Sequence, residues 1–155
     1  MNLHNTPIDF IAYDADGQII LLAEAKSRLG TSGYWASKLR RNMLAHGLLP
    51  KSRFFLIATP ERMYGWKQES LPASDDPPQF TIDAREAFQP YFAKLRQNPD
   101  NISPQAFELL FLTWLTDIAR SGVDQLESDP SLASLKESGL LSSLQQAEIE
   151  MNTER

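Results

Sequence analysis

The sequence contains no cysteine. That excludes disulfides, thiolate metal sites and cysteine nucleophiles, and it suits a reducing, cytoplasmic setting. Histidine is nearly as scarce. His4 and His46 show no ligand spacing, so a zinc site or a Ser-His-Asp triad has little to build on. No apolar run reaches the ~18 residues of a membrane span, and the richest, Ala106 to Leu115, contains Glu108. The opening residues MNLHNT have neither the charged nor the apolar stretch of a signal peptide. Walker-type and dinucleotide glycine patterns are also missing.

Acid is absent from one long segment. Between Ala25 and Pro60 there is no Asp or Glu, yet Lys26, Arg28, Lys38, Arg40, Arg41, Lys51 and Arg53 all fall there. Residues 1–67 carry nine Lys/Arg against five Asp/Glu, a net +4, while residues 68–155 carry six against fifteen, a net −9. The overall charge of −5 therefore hides a basic first half. Local field governs attraction of a polyanion more than the whole-chain sum does.

What is present reads as an α/β protein with a small mixed sheet. Ile8–Tyr13 and Ile19–Ala25 flank Asp14-Ala15-Asp16-Gly17, and Asp16-Gly17 is a hairpin signal because both residues tolerate positive φ. The acids of this turn echo the start of a calcium loop, but the distal Glu is missing, and the segment reads as the turn itself. Thr31 and Ser32 are candidate caps for a helix over Tyr34–His46, stopped by Gly47, with Trp35, Leu39 and Met43 on its buried face. The apolar run Phe54–Ala58 predicts a strand covered on both faces. The order strand, helix, strand makes a β-α-β crossover, which requires parallel strands. Met63–Trp66 and Phe80–Ile82 predict two further short strands around a polar Gln68–Pro78 loop, followed by helices over Ala84–Arg96 and Pro104–Ser121. A weaker amphipathic stretch covers Ser131–Glu148, and no element is predicted for the tail EMNTER.

The hairpin contains an oddity. Asp9 opens its first strand and Glu24 ends its second, with Lys26 two residues on. With a two-residue loop at Asp16-Gly17, paired residue numbers sum to 33, so Asp9 faces Glu24; a four-residue loop leaves them diagonal, and a three-residue loop breaks the alignment. Lys26 shares the face of Glu24 because side chains alternate with period two. Like charges opposed on a sheet are destabilising, and more so when buried unpaired. Either Lys26 neutralises the acids or a hard divalent ion bridges them. Mg²⁺ suits the second case, since it takes one or two carboxylates, water and phosphate oxygens.

Ile8-Asp9, the hairpin and Glu24-Ala25-Lys26, followed by a helix and a strand, resemble the PD-(D/E)XK, or restriction-endonuclease-like, nuclease superfamily over about residues 6–67. The resemblance implies Mg²⁺-dependent phosphodiester hydrolysis, with Mn²⁺ as substitute. It assigns Asp9, Glu24 and the Ala25 carbonyl as metal ligands and Lys26 as the residue assisting the nucleophile. It also implies a nucleic-acid partner, DNA ahead of RNA. On it, residues 1–98 form a nuclease-like core shortened at its N-terminus, and residues 99–155 a helical appendage. Only eight residues precede Asp9, and the family's proline is displaced to Pro7. These departures keep open an alternative, a non-catalytic module of that fold serving binding or assembly.

Two surfaces complete the expectation. Arg28, Tyr34, Lys38, Arg40 and Arg41 offer phosphate contacts from the crossover helix and its approach, where an ordinary solvated face would look the same. The Pro104–Ser121 helix has an apolar stripe through Phe107, Leu110, Phe111, Trp114, Leu115 and Ile118, wide enough for a core or for a homodimer or partner subunit.

Overall fold

Phe10–Tyr13 (β1) and Ile19–Ala25 (β2) form the expected hairpin in a computed structural model that describes residues 8–46, 49–68, 76–122, 126 and 128–152. Pro7, Gly47 and most of the Gln68–Pro78 loop lie outside those residues. Gly33–Ala45 (α1) crosses to Phe54–Ala58 (β3), which lies beside β2 and parallel to it, as the crossover demands. Arg62–Lys67 (β4) and Phe80–Asp83 (β5) continue the sheet antiparallel. Ala84–Lys94 (α2) and Pro104–Arg120 (α3) follow, started by Asp83 and Ser103, whose side chains accept from Glu86 N and Ala106 N.

The C-terminal stretch departs from expectation. Instead of one amphipathic helix over Ser131–Glu148, two short helices, Ala133–Ser138 (α4) and Leu140–Ser143 (α5), meet at Gly139. Gly139 has φ +89°, a left-handed value that ends a helix. The tail is not without structure either: Glu148–Met151 forms a strand, β6, against β1. Its Glu-Ile-Glu-Met alternation has the period of a strand, with Ile149 and Met151 against the core. The sheet order is thus β5-β4-β3-β2-β1-β6, a mixed sheet.

Helices cover both faces. The larger core gathers Phe10, Leu21, Ala23, Leu56 and Met63 with α2, α3, α4 and α5, centred on Phe88, whose ring lies 5.3–6.3 Å from those of Phe92, Phe107, Phe111 and Trp114. The stripe of α3 is spent here: Phe107, Leu110, Phe111, Trp114, Leu115 and Ile118 are all buried, which removes it as a partner face and leaves Leu109 exposed. On the opposite face Ile11, Leu22, Phe55, Ile57, Tyr64 and Trp66 pack beneath α1. The buried line of α1 is Ala36, Arg40 and Met43; Trp35 and Leu39, expected to lead it, flank it half-buried. No helix among the described residues is long and apolar enough to cross a membrane.

Candidate functional site

The hairpin register decides whether the two acids meet. The turn is closed by Asp14 N–H donating to the Gln18 carbonyl (2.9 Å) and Gly17 N–H to that of Asp14 (3.0 Å), so the loop is the three residues Ala15–Gly17, with Gly17 at φ +79°. The Asp14 carboxylate is occupied within the turn, accepting from Asp16 N and Gln18 N at 2.9 Å each. A three-residue loop shifts the pairing by one, and Tyr13 indeed faces Ile19. Beyond Tyr13 the ladder shifts back: Ala12 faces Leu21 and Phe10 faces Ala23, skipping Ile20. This bulge restores the alignment, and continuing the register brings Asp9 opposite Glu24, on the α1 face.

The carboxylates hold the strand ends reciprocally. Asp9 N–H donates to Glu24 Oε1 (2.8 Å), and Ala25 N–H donates to Asp9 Oδ2 (2.9 Å). Both residues are buried, 3% and 2% exposed, while Lys26 brings Nζ to 3.3 Å from Glu24 Oε2 with its side chain 44% exposed. On its other flank Asp9 is fenced by the residue just past the end of β6, where Asn152 N–H donates to the Asp9 carbonyl (2.8 Å). Burial first, and then the Asp9 charge, pushes the Glu24 carboxyl up to about 8, only partly offset by Lys26 and the Asp9 N–H. At neutral pH the Asp9–Glu24 pair therefore retains a proton. Asp9, Glu24 and Lys26 do come together at the C-terminal end of β2, but the open cleft expected there is not seen among the described residues: the two carboxylates are sealed and Lys26 reaches solvent.

The donor set suits a hard ion. Two adjacent carboxylates, with the Ala25 peptide between Glu24 and Lys26, offer oxygen only; among the described residues no group of three or more His, Cys, Asp or Glu forms a metal cluster. That is too few protein ligands for a closed site but matches Mg²⁺, which keeps water and phosphate in its shell. An ion bound between these carboxylates would displace the proton that the pair holds.

The expected phosphate contacts divide. Arg28, Tyr34, Lys38 and Arg41 are exposed. The Arg28 guanidinium lies 5.8 Å from the Trp35 ring centroid, and Lys38 Nζ lies 5.5 Å from that of Tyr34. Arg40 is a correction: it is 3% exposed, its Nε and Nη2 donate to Gln68 Oε1 at 3.3 and 3.1 Å, and its guanidinium lies 5.3 Å from the Trp66 ring. One helical turn after Ala36 and three residues before Met43, it belongs to the inward line of α1 and not to a phosphate-facing surface. Sequence reasoning also missed Asn152 beside Asp9 and the pairing of Trp35 with Arg28. The strand alternation of the tail, and the seven-residue step from Arg28 to Trp35 across a helix start, were the available signals.

Comparison with protein-family models, curated proteins and solved structures finds no match.

Proposed function

We propose that the protein is a Mg²⁺-dependent phosphodiesterase acting on nucleic acid in the cytoplasm, a PD-(D/E)XK-type nuclease in which Asp9, Glu24 and the Ala25 carbonyl hold the ion and Lys26 assists the nucleophile. One observation supports the reading above the others: two buried carboxylates meet across a hairpin beside an ammonium that reaches solvent. Bound there, the ion would polarise the phosphodiester and lower the pKa of an attacking water. The residues' own contributions are distinct. Asp9 and Glu24 fix each other through the backbone N–H groups of Asp9 and Ala25, so the ligand oxygens are oriented before any ion arrives. Lys26, half in water, carries positive charge to the rim of the site, where it orients a water and stabilises developing negative charge. Arg28, Lys38 and Arg41 add the non-specific attraction for phosphates. The test is cleavage of plasmid DNA and of RNA with Mg²⁺ or Mn²⁺, beside calorimetric titration of the ion. Glu24→Ala and Lys26→Ala are each expected to lower cleavage by about a hundredfold or more, and Glu24→Ala to abolish ion binding. A wild-type protein that binds no divalent ion at millimolar concentration would remove the enzyme reading.

A second reading is favoured by the closure of the same groups. Both carboxylates are nearly sealed and each already accepts a backbone N–H, which suits a non-catalytic module that binds or assembles. Nucleic-acid binding that persists in Glu24→Ala, with no cleavage by the wild type, is its mark.

A further inference from the structure

The basic face beside Lys26 has more than charge. Tyr34 is 74% exposed and Leu29 is 40% exposed, apolar surface placed among Arg28, Lys38 and Arg41. A solitary exposed aromatic is ordinary on a protein surface. Here two aromatics stand consecutively at the start of α1, each with a cation within 6 Å of its ring, Lys38 on Tyr34 and Arg28 on Trp35. Trp35 is further fixed against Tyr64, 6.4 Å between ring centroids, and the Tyr64 hydroxyl bonds Thr31 Oγ1 at 2.8 Å. The rings are thus held and partly open, with cations beside them.

The strand register locates this face relative to the carboxylates. Glu24 faces Ile57, and Ile57 faces Tyr64, so Tyr64 is two strands along the row from Glu24. At the usual strand spacing that is about 10 Å. Trp35 sits against Tyr64 on the same sheet face, and the chain from Lys26 to Arg28 bridges the gap. A polyanion held on the aromatic pair is therefore a short step from the acids.

Charge alone does not discriminate between forms of nucleic acid, but an exposed ring does. In a duplex the bases are already stacked and paired, and phosphates are all that a surface such as this meets. An unpaired base offers its π-face, and stacking on an aromatic contributes about 1–3 kcal/mol per base irrespective of sequence. Arg28, Lys38 and Arg41 would then track the backbone while Tyr34 takes a base.

We propose that this face binds single-stranded nucleic acid by base stacking on Tyr34, making an unpaired strand, and not duplex, the preferred ligand. The inference rests on the nucleic-acid reading above but not on hydrolysis, so it is tested without divalent ions. Anisotropy of a labelled oligodeoxythymidylate and of a blunt duplex of equal length, measured in the same salt, gives the two affinities. The expected result is tighter binding of the single strand, weakened about tenfold by Tyr34→Ala and retained in Tyr34→Phe, while Lys38→Ala weakens both ligands and flattens the salt dependence. Tyr34 is exposed, so its variants are expected to fold, which circular dichroism checks. Equal affinity for the two ligands, or a Tyr34→Ala protein that binds like the wild type, overturns the stacking inference and leaves the nucleic-acid reading standing. Binding of neither ligand removes that reading, and this inference with it.

Discussion

Two buried charges lie under or beside α1, and they are treated in opposite ways. Arg40 is enclosed with partners supplied: the Gln68 side-chain oxygen accepts twice, Trp66 lies against the guanidinium, and the negative charge of Asp76 opposes the desolvation that lowers its pKa. The Asp9–Glu24 pair is as deeply buried, yet the cation beside Glu24 is the half-exposed Lys26, and the Glu24 carboxyl is pushed up to about 8. A buried charge is costly unless paired and hydrogen-bonded. In the first region the protein provides the partner permanently. In the second a proton serves, or, on the proposed function, a divalent cation. That contrast separates a structural charge from a candidate site better than burial alone.

The contrast can be broken by mutation. The largest expected effect is at Arg40: Arg40→Ala removes packed methylenes, the stack on Trp66 and both donors to Gln68, and should lower stability by about 3 kcal/mol in urea unfolding, with little dependence on pH. A loss of only a few tenths would show that Arg40 is not structural. Next comes the carboxylate pair. In the unfolded chain Glu24 loses its proton near 4.5, whereas folded it holds it to about 8. Between those values the folded state binds the extra proton, so stability falls as pH rises through the window and its contribution is fully present only below 4.5. Glu24→Gln should flatten that slope and exceed the wild type in stability above pH 8. A wild-type stability that climbs over the same window would contradict the pair's burial. The smallest effect sharpens the comparison from the ligand side. Saturating Mg²⁺ at neutral pH should raise wild-type stability by about 1–2 kcal/mol and release close to one proton per ion, read calorimetrically in two buffers. Glu24→Gln should show neither response, and Arg40→Ala should show both.

How the acids came to face each other shows what could be read beforehand. Their pairing was inferred from a two-residue turn, whereas the turn has three residues, and a bulge at Ile20 restores the alignment. The conclusion survived because register answers to burial: Leu22 beneath α1 and Ala23 in the opposite core must stay on their sides, and one residue of slip would exchange them. The first five strands, the parallel crossover and the cap at Ser32 follow local rules and were legible in this way. Arg40 was not, because a charge on an inward helical position looks like surface until its partners, Trp66 and Gln68 from β4 and its end, are known. Strand β6 was hidden for a similar reason. Four residues with two glutamates become a strand only when β1 offers an edge. The depth of the carboxylates was likewise a property of the assembled sheet.

Strand β6 also has a kinetic meaning. Pairing Phe10 with Met151 closes a loop through nearly all of the described chain, the kind of contact whose entropy must be met before it stabilises anything. The hairpin can bring Asp9 to Glu24 early and locally, but the flank of Asp9 secured by Asn152 waits for that closure. Hydrogen exchange at the Asn152 amide should therefore report a late-assembled part of the sheet, so a seam that closes late in folding runs alongside the buried carboxylate pair.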